Sequence, residues 1–118
     1  MSRSYQGTGE AGVANPIDKD KYYEELGDEV LEAVVQGSCN LFDVAIPSRL
    51  VQMPHNGRWH GSYRFATREV RFTHTYMGLI LHEVAHHIDR TINSDRSRRI
   101  HHCPQYYDIL QQLHDLWR

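Results

Sequence analysis

A chain of 118 residues with 40% apolar side chains and a formal net charge of -2 is long enough for one domain with a modest core. No apolar run approaches the roughly 20 residues of a membrane span, and the N-terminus lacks the charged-then-apolar pattern of a signal peptide. These features argue against a membrane protein and lead to an expected cytoplasmic location. The two cysteines, Cys39 and Cys103, are then expected as reduced thiols, and without a CxxC pair they make no zinc ribbon.

The charge is uneven. Residues 1–47 carry 3 basic and 9 acidic side chains, whereas residues 48–118 carry 10 basic and 6 acidic ones. All ten of the latter basic residues are arginine, with Arg96, Arg98 and Arg99 clustered. The plain expectation is that the two parts face one another or are solvated. An anionic partner such as nucleic acid or an acidic peptide is the sharper alternative, and no nucleic-acid motif supports it.

Residues 1–17 contain Gly7, Gly9, Gly12 and Pro16 with little apolar content, and are expected to form a flexible tail. Asp18 or Asp20 then caps a helix running to about Gln36, with Tyr22, Tyr23, Leu26, Val30, Leu31, Val34 and Val35 as its apolar side. Gly27 is an internal weak point, and Gly37 is a natural stop. Residues 41–46 and 49–53 are β-branched and apolar, predicting a strand bent near Pro47. His55-Asn56-Gly57 signals a turn.

Residues 58–65 alternate, with Trp59, Gly61, Tyr63 and Phe65 on one side and Arg58, His60, Ser62 and Arg64 on the other. Residues 69–74 alternate again, with Val70 and Phe72 opposite Glu69, Arg71 and Thr73. The link Ala66-Thr67-Arg68 is short enough for a hairpin. A helix follows from about Thr75 to Ile92. After an arginine-rich loop, Pro104 opens a last helix that presents Tyr107, Leu110, Leu113 and Trp117.

The helix over 75–92 carries the most informative pattern, His82-Glu83-Val84-Ala85-His86, which reads H-E-x-x-H. Histidines at i and i+4 lie one turn apart on the same face, so both imidazoles can reach one metal ion. Glu83 is placed to hold and deprotonate a water at that metal. Met77, Ile80, Leu81, Val84 and Ile88 lie on the opposite side as a core face. Burying two histidines and a glutamate in such a helix without partners is costly, which favours a ligand role.

A catalytic zinc site usually has three protein ligands and an open position. Asp89 and Ile92 stand where an extended motif would place glycine and histidine, so that arrangement is out. His102 is the preferred third ligand, because it sits just before the helix opened by Pro104. Asp95, Asp108, His101 and the thiol of Cys103 stay open as alternatives.

The pattern H-E-x-x-H followed by H-x-P-x-aromatic, here His102-Cys103-Pro104-Gln105-Tyr106, resembles the SprT-like zinc metalloproteases and related minimal zincins. In that family a helix, a small sheet with a hairpin, the motif helix and a further helix follow in order. The segments from Trp59 to Arg64 and from Arg68 to Phe72 resemble its hairpin. The resemblance covers about residues 20–117. It implies zinc held by His82, His86 and His102, with Glu83 as general base. The chain is also similar to small single-domain proteins described only as metallohydrolases. It departs from the family at Cys103, where glycine is usual. No zinc ribbon or DNA-binding module follows within these 118 residues, so a role in DNA repair is not expected.

Several neighbours are candidates for support. Asp89 can accept a hydrogen bond from a ligand histidine, or pair with Arg90 or Arg96 at the helix end. Gly78 lies one turn before His82 and can clear space for substrate or a packed strand. Tyr106 and Tyr107 are candidate donors to a developing oxyanion, although core packing is the more ordinary role for both. His60, His74, His87 and His101 are weaker candidates for the same task. The strand over 58–65 can form a sheet edge to which an extended peptide adds.

These readings predict an α+β, zincin-like fold. A small, mainly antiparallel three-stranded sheet packs on the H-E-x-x-H helix between N- and C-terminal helices. A single domain spans 18–118. The expected function is that of a zinc-dependent metallohydrolase, a metallopeptidase acting on a peptide or protein substrate with Glu83 activating the water. The second reading is a non-catalytic, zinc-stabilised binding or regulatory module, which Cys103 as a fourth ligand would support. Neither a membrane nor a nucleic-acid partner is expected.

Overall fold

The computed structural model describes residues 12–55, 60–95 and 101–118. Seven elements follow in order: α1 (Lys19–Tyr22), α2 (Asp28–Leu41), β1 (Arg49–Gln52), β2 (Gly61–Arg64), β3 (Glu69–Phe72), α3 (Met77–Ile92) and α4 (Pro104–Trp117). The class is α+β, as expected. None of the described helices is long and apolar enough to cross a membrane.

The single helix expected up to Gln36 is two helices. Asp18 starts the first, its Oδ1 accepting the Lys21 N–H at 2.9 Å. The chain then leaves the helix because the strand-like entry to α3 claims its backbone. Leu26 N–H donates to the Thr75 carbonyl at 2.9 Å, and Met77 N–H to the Glu24 carbonyl at 3.0 Å. Gly27 restarts the helix as N-cap, followed by Asp28 and Glu29, whose charges suit a helix N-terminus. Gly37 does not stop α2. A Cβ there would lie 2.8 Å from the Trp117 ring, so this glycine admits the end of α4 against α2. Trp117 Nε1 also donates to Ser38 Oγ at 2.9 Å.

Residues 41–46 form no strand. The chain turns out of α2 through Asp43 at φ 56°, and Val44 N–H returns to the Cys39 carbonyl. The sheet order is β1-β3-β2. The expected β2–β3 hairpin forms, antiparallel, with Gly61 opposite Phe72 and Arg64 opposite Glu69. Arg68 closes it with φ 58°. β1 instead runs parallel to β3, so the sheet is mixed rather than mainly antiparallel. Ser48 explains the sense of β1: its N–H donates to the Arg68 carbonyl at 2.9 Å, which ties the start of β1 to the start of β3. The calls on Asn56, Gly57, Arg58 and Trp59, and on Arg96, Arg98 and Arg99, fall outside the described residues.

The core lies between the sheet, α2 and α4, with α3 at its centre. Met77, Ile80, Leu81, Val84 and Ile88 are all buried, as their spacing predicts. Val70 and Phe72 meet them from β3, and Leu110 and Leu113 from α4. On α4 it is Tyr106, not Tyr107, that is fully buried.

A flexible tail over 1–17 is corrected in its second part. Val13 and Ile17 are buried in the core. Asn15 and Gln111 exchange two 3.0 Å hydrogen bonds, and Ile17 N–H donates to His114 Nδ1 at 3.0 Å. Two apolar side chains four residues apart and a ladder of polar contacts to α4 outweigh the glycine and proline content. Residues 1–11 lie outside the described residues.

Candidate metal centre

α3 supplies His82, Glu83 and His86, and the residue two before α4 supplies His102. The three imidazoles each offer a nitrogen within 4.8 Å of the others. His86 Nε2 and His102 Nε2 are 3.1 Å apart. Two ligand nitrogens on a tetrahedral zinc, each at about 2.0–2.1 Å, would be roughly 3.3 Å apart. The donor set and its spacing therefore fit a zinc-sized ion.

Among the described residues this is the one such cluster, and Cys103, Asp95 and Asp108 are not in it. Asp95 and Asp108 are exposed. Cys103 serves as the N-cap of α4 in extended backbone. His101 sits beside the cluster, its ring 6.4 Å from that of His86, but it is not one of the three.

The cluster is held from below by Tyr106. Its ring stacks on His86 with centroids 4.3 Å apart, and its hydroxyl donates to the His82 carbonyl at 2.9 Å. That bond gives the phenol a structural role rather than the oxyanion role considered for it. Burial, with the added repulsion of His82, His102, His101 and Arg90, pushes the pKa of His86 down to about 2. His86 is thus neutral at ordinary pH, the form that binds a metal.

Glu83 is 3% exposed, and its Oε2 lies 3.9 Å from His82 Nε2. β2 passes directly over it. A Cβ on Gly61 would stand 3.0 Å from Glu83 Oε2, 3.0 Å from Leu79 Cδ1 and 3.1 Å from the Arg71 carbonyl oxygen. Only a residue without a side chain lets the edge strand approach the carboxylate this closely.

A cleft of about 390 Å³ opens over these groups. β2 forms one wall with Gly61, Ser62 and Tyr63, continued by Phe65, and α3 forms the floor. Behind that wall is a feature the sequence reading missed. The Tyr63 hydroxyl donates to His87 Nδ1 at 2.9 Å, and His87 Nε2 donates to the Ala45 carbonyl at 2.7 Å. The carbonyl can only accept, which fixes the neutral tautomer of His87. Burial pushes Tyr63 up to about 12 and lowers His87, so the phenol keeps its proton. The chain buckles α3 to β2 and to the loop after α2.

Other candidates are placed elsewhere. A Cβ on Gly78 would fall 2.1 Å from the Tyr22 ring, so this glycine admits α1 against α3 and not substrate. Asp89 is buried and accepts a 3.0 Å hydrogen bond from Asn93 Nδ2. His60 and His74 gather with His55 at one end of the sheet, with ring centroids 5.1–5.7 Å apart. Comparison of the chain with known protein families, curated proteins and solved structures gives no match.

Proposed function

We propose that this protein is a zinc-dependent hydrolase of zincin type, related to the SprT-like metalloproteases, and that it cuts peptide bonds. One observation carries the reading: the three imidazoles of His82, His86 and His102 converge beside the buried carboxylate of Glu83 at the floor of an open cleft. A metal held only for structure usually takes four protein ligands, and three beside a carboxylate and a cleft favour chemistry.

When bound, zinc supplies a Lewis acid that acidifies water and polarises a carbonyl. Glu83 does the proton work, taking a proton from the attacking water and giving it to the leaving amine nitrogen. Its burial keeps competing solvent away and its position beneath β2 fixes where it reaches. β2 is an edge strand, so its outer backbone groups suit an extended peptide, which would lie along the cleft wall. Tyr106 holds His82 and His86 in place through the backbone and by stacking. The free thiols of Cys39 and Cys103 accord with a reducing cytoplasm.

Metal content by mass spectrometry, with cleavage of a mixed peptide pool, tests this. The expected result is one zinc per chain with peptide cleavage, zinc kept but cleavage lost in Glu83→Gln, and zinc largely lost in His102→Ala. A wild type that takes up no zinc on reconstitution refutes the proposal. A wild type that holds zinc and cuts nothing points to the non-catalytic binding module instead.

A further inference from the structure

We propose that Arg90 is a specificity residue: its guanidinium recognises an acidic side chain on the N-terminal side of the bond that is cut. The inference rests on the hydrolase reading above and names a substrate class for it.

His82, His86 and Arg90 follow one another at four-residue intervals along α3, and all three line the cleft. The rise of a helix places Arg90 about 6 Å further along than His86. That is the span of one to two residues of an extended peptide at about 3.3 Å each. Among the described residues that line the cleft, Arg90 is the one fixed cation and Glu83 the one carboxylate.

The guanidinium is held as a receptor would be. It lies over the Phe65 ring, 5.7 Å from the centroid, and Arg90 as a whole residue is 4% exposed. Its Nη2 lies 3.4 Å from His101 Nδ1, one of the contacts that hold it in place. A carboxylate entering from the cleft would meet it as a charge-assisted partner. In a partly dehydrated cleft that attraction is screened less than at the surface.

The direction follows from β2, which runs along α3 in the same sense. Gly61 stands over Glu83, Tyr63 bonds His87, and Phe65 lies against Arg90. Antiparallel pairing to a strand edge is the more stable kind. A peptide paired that way has its N-terminal part at Phe65 and Arg90, and its C-terminal part beyond Gly61. The acidic side chain therefore falls one or two residues before the scissile bond.

The test uses the zinc-loaded Glu83→Gln protein, immobilised, and two C-terminally amidated decapeptide libraries that carry a fixed aspartate or a fixed asparagine at matched positions. At least tenfold preferential retention of the aspartate library is expected. That preference should vanish when Arg90→Gln is added and persist in part with Arg90→Lys. Zinc content and a cooperative thermal transition establish that each variant is folded. Cleavage by the wild type, mapped by mass spectrometry, should place the acid one or two residues before the cut.

Equal retention of both libraries, or retention of neither by folded protein, overturns the proposal. So does acid selectivity confined to residues after the cut. A free-acid library retained over its amidated form, without an aspartate preference, shows recognition of a terminal carboxylate and also overturns it. Acid-selective retention that depends on Arg90, with no cleavage by the wild type, supports the recognition site and refutes the hydrolase reading.

Discussion

Replacing Gly61 with alanine tests whether β2 and Glu83 are packed as closely as the site requires. The new methyl carbon would meet Glu83 Oε2 and Leu79 Cδ1 at 3.0 Å and the Arg71 carbonyl oxygen at 3.1 Å. Comfortable contacts at carbon begin near 3.5 Å. The leucine and glutamate can turn their ends aside. The Arg71 oxygen belongs to the β3 backbone and cannot, so β2 must move by a few tenths of an ångström. Forcing one methyl into a packed site costs about 1–3 kcal/mol. For a domain of this size that lowers Tm by about 4 °C per kcal/mol. A misplacement of 1 Å at a reacting group costs about a hundredfold, so half of that costs roughly tenfold. None of His82, His86 and His102 is among the nearest neighbours of that methyl, so zinc content should not change. Thermal melting, metal analysis and peptide turnover are read together. Wild-type Tm with wild-type turnover refutes the placement of Glu83 beneath β2, and loss of zinc shows that the strain reaches the ligands.

Three further perturbations probe the scaffold. Gly78→Ala puts a methyl 2.1 Å from Tyr22 and should cost at least about 2 kcal/mol, with Tyr22→Ala giving less than additive loss in the double variant by urea unfolding. Tyr63→Phe removes the donor to His87 Nδ1 and should cost about 1–3 kcal/mol while leaving zinc content unchanged; an unaltered urea midpoint would count against the buckle. In the zinc-free protein, His86 titrates near 2 when folded and near 6.5 when unfolded, so the unfolded chain takes the proton first. The stability this contributes is complete above pH 6.5 and falls by about 2 kcal/mol at pH 5, with His87 acting in the same direction. Equal unfolding free energies at pH 7.5 and 5 would refute it.

The sequence made α3 legible because its apolar spacing and its polar face agree. Met77, Ile80, Leu81, Val84 and Ile88 are buried on one side while His82 and His86 turn to the cleft. The hairpin was legible for a similar local reason, since a short link joins two alternating runs. What sequence spacing could not convey was competition between distant segments for the same backbone. The break after Tyr22 exists because residues 24–26 bond residues 75–77, some fifty positions away. The parallel sense of β1 depends on Ser48 finding Arg68. Gly37 and Gly78 signalled a stop and an opening, yet each makes room for an aromatic ring from another helix.

The same division runs through the site. His82, Glu83 and His86 lie within about one turn of a single helix, so their grouping is local, and Pro104 makes His102 readable as part of the lead into the next helix. Gly61, Tyr63 and His87 have no such local signature, because each acquires its role only when β2 is laid over α3. Alternation did put Gly61 and Tyr63 on one side of a strand, but it could not say that this side faces Glu83. A four-residue step from His86 to Arg90 was a usable signal, since it continues the ligand stripe by one turn. It identifies a cation on the side of the helix that carries His82 and His86. Its chemistry as a receptor follows only from Phe65 and the cleft that the hairpin builds over it.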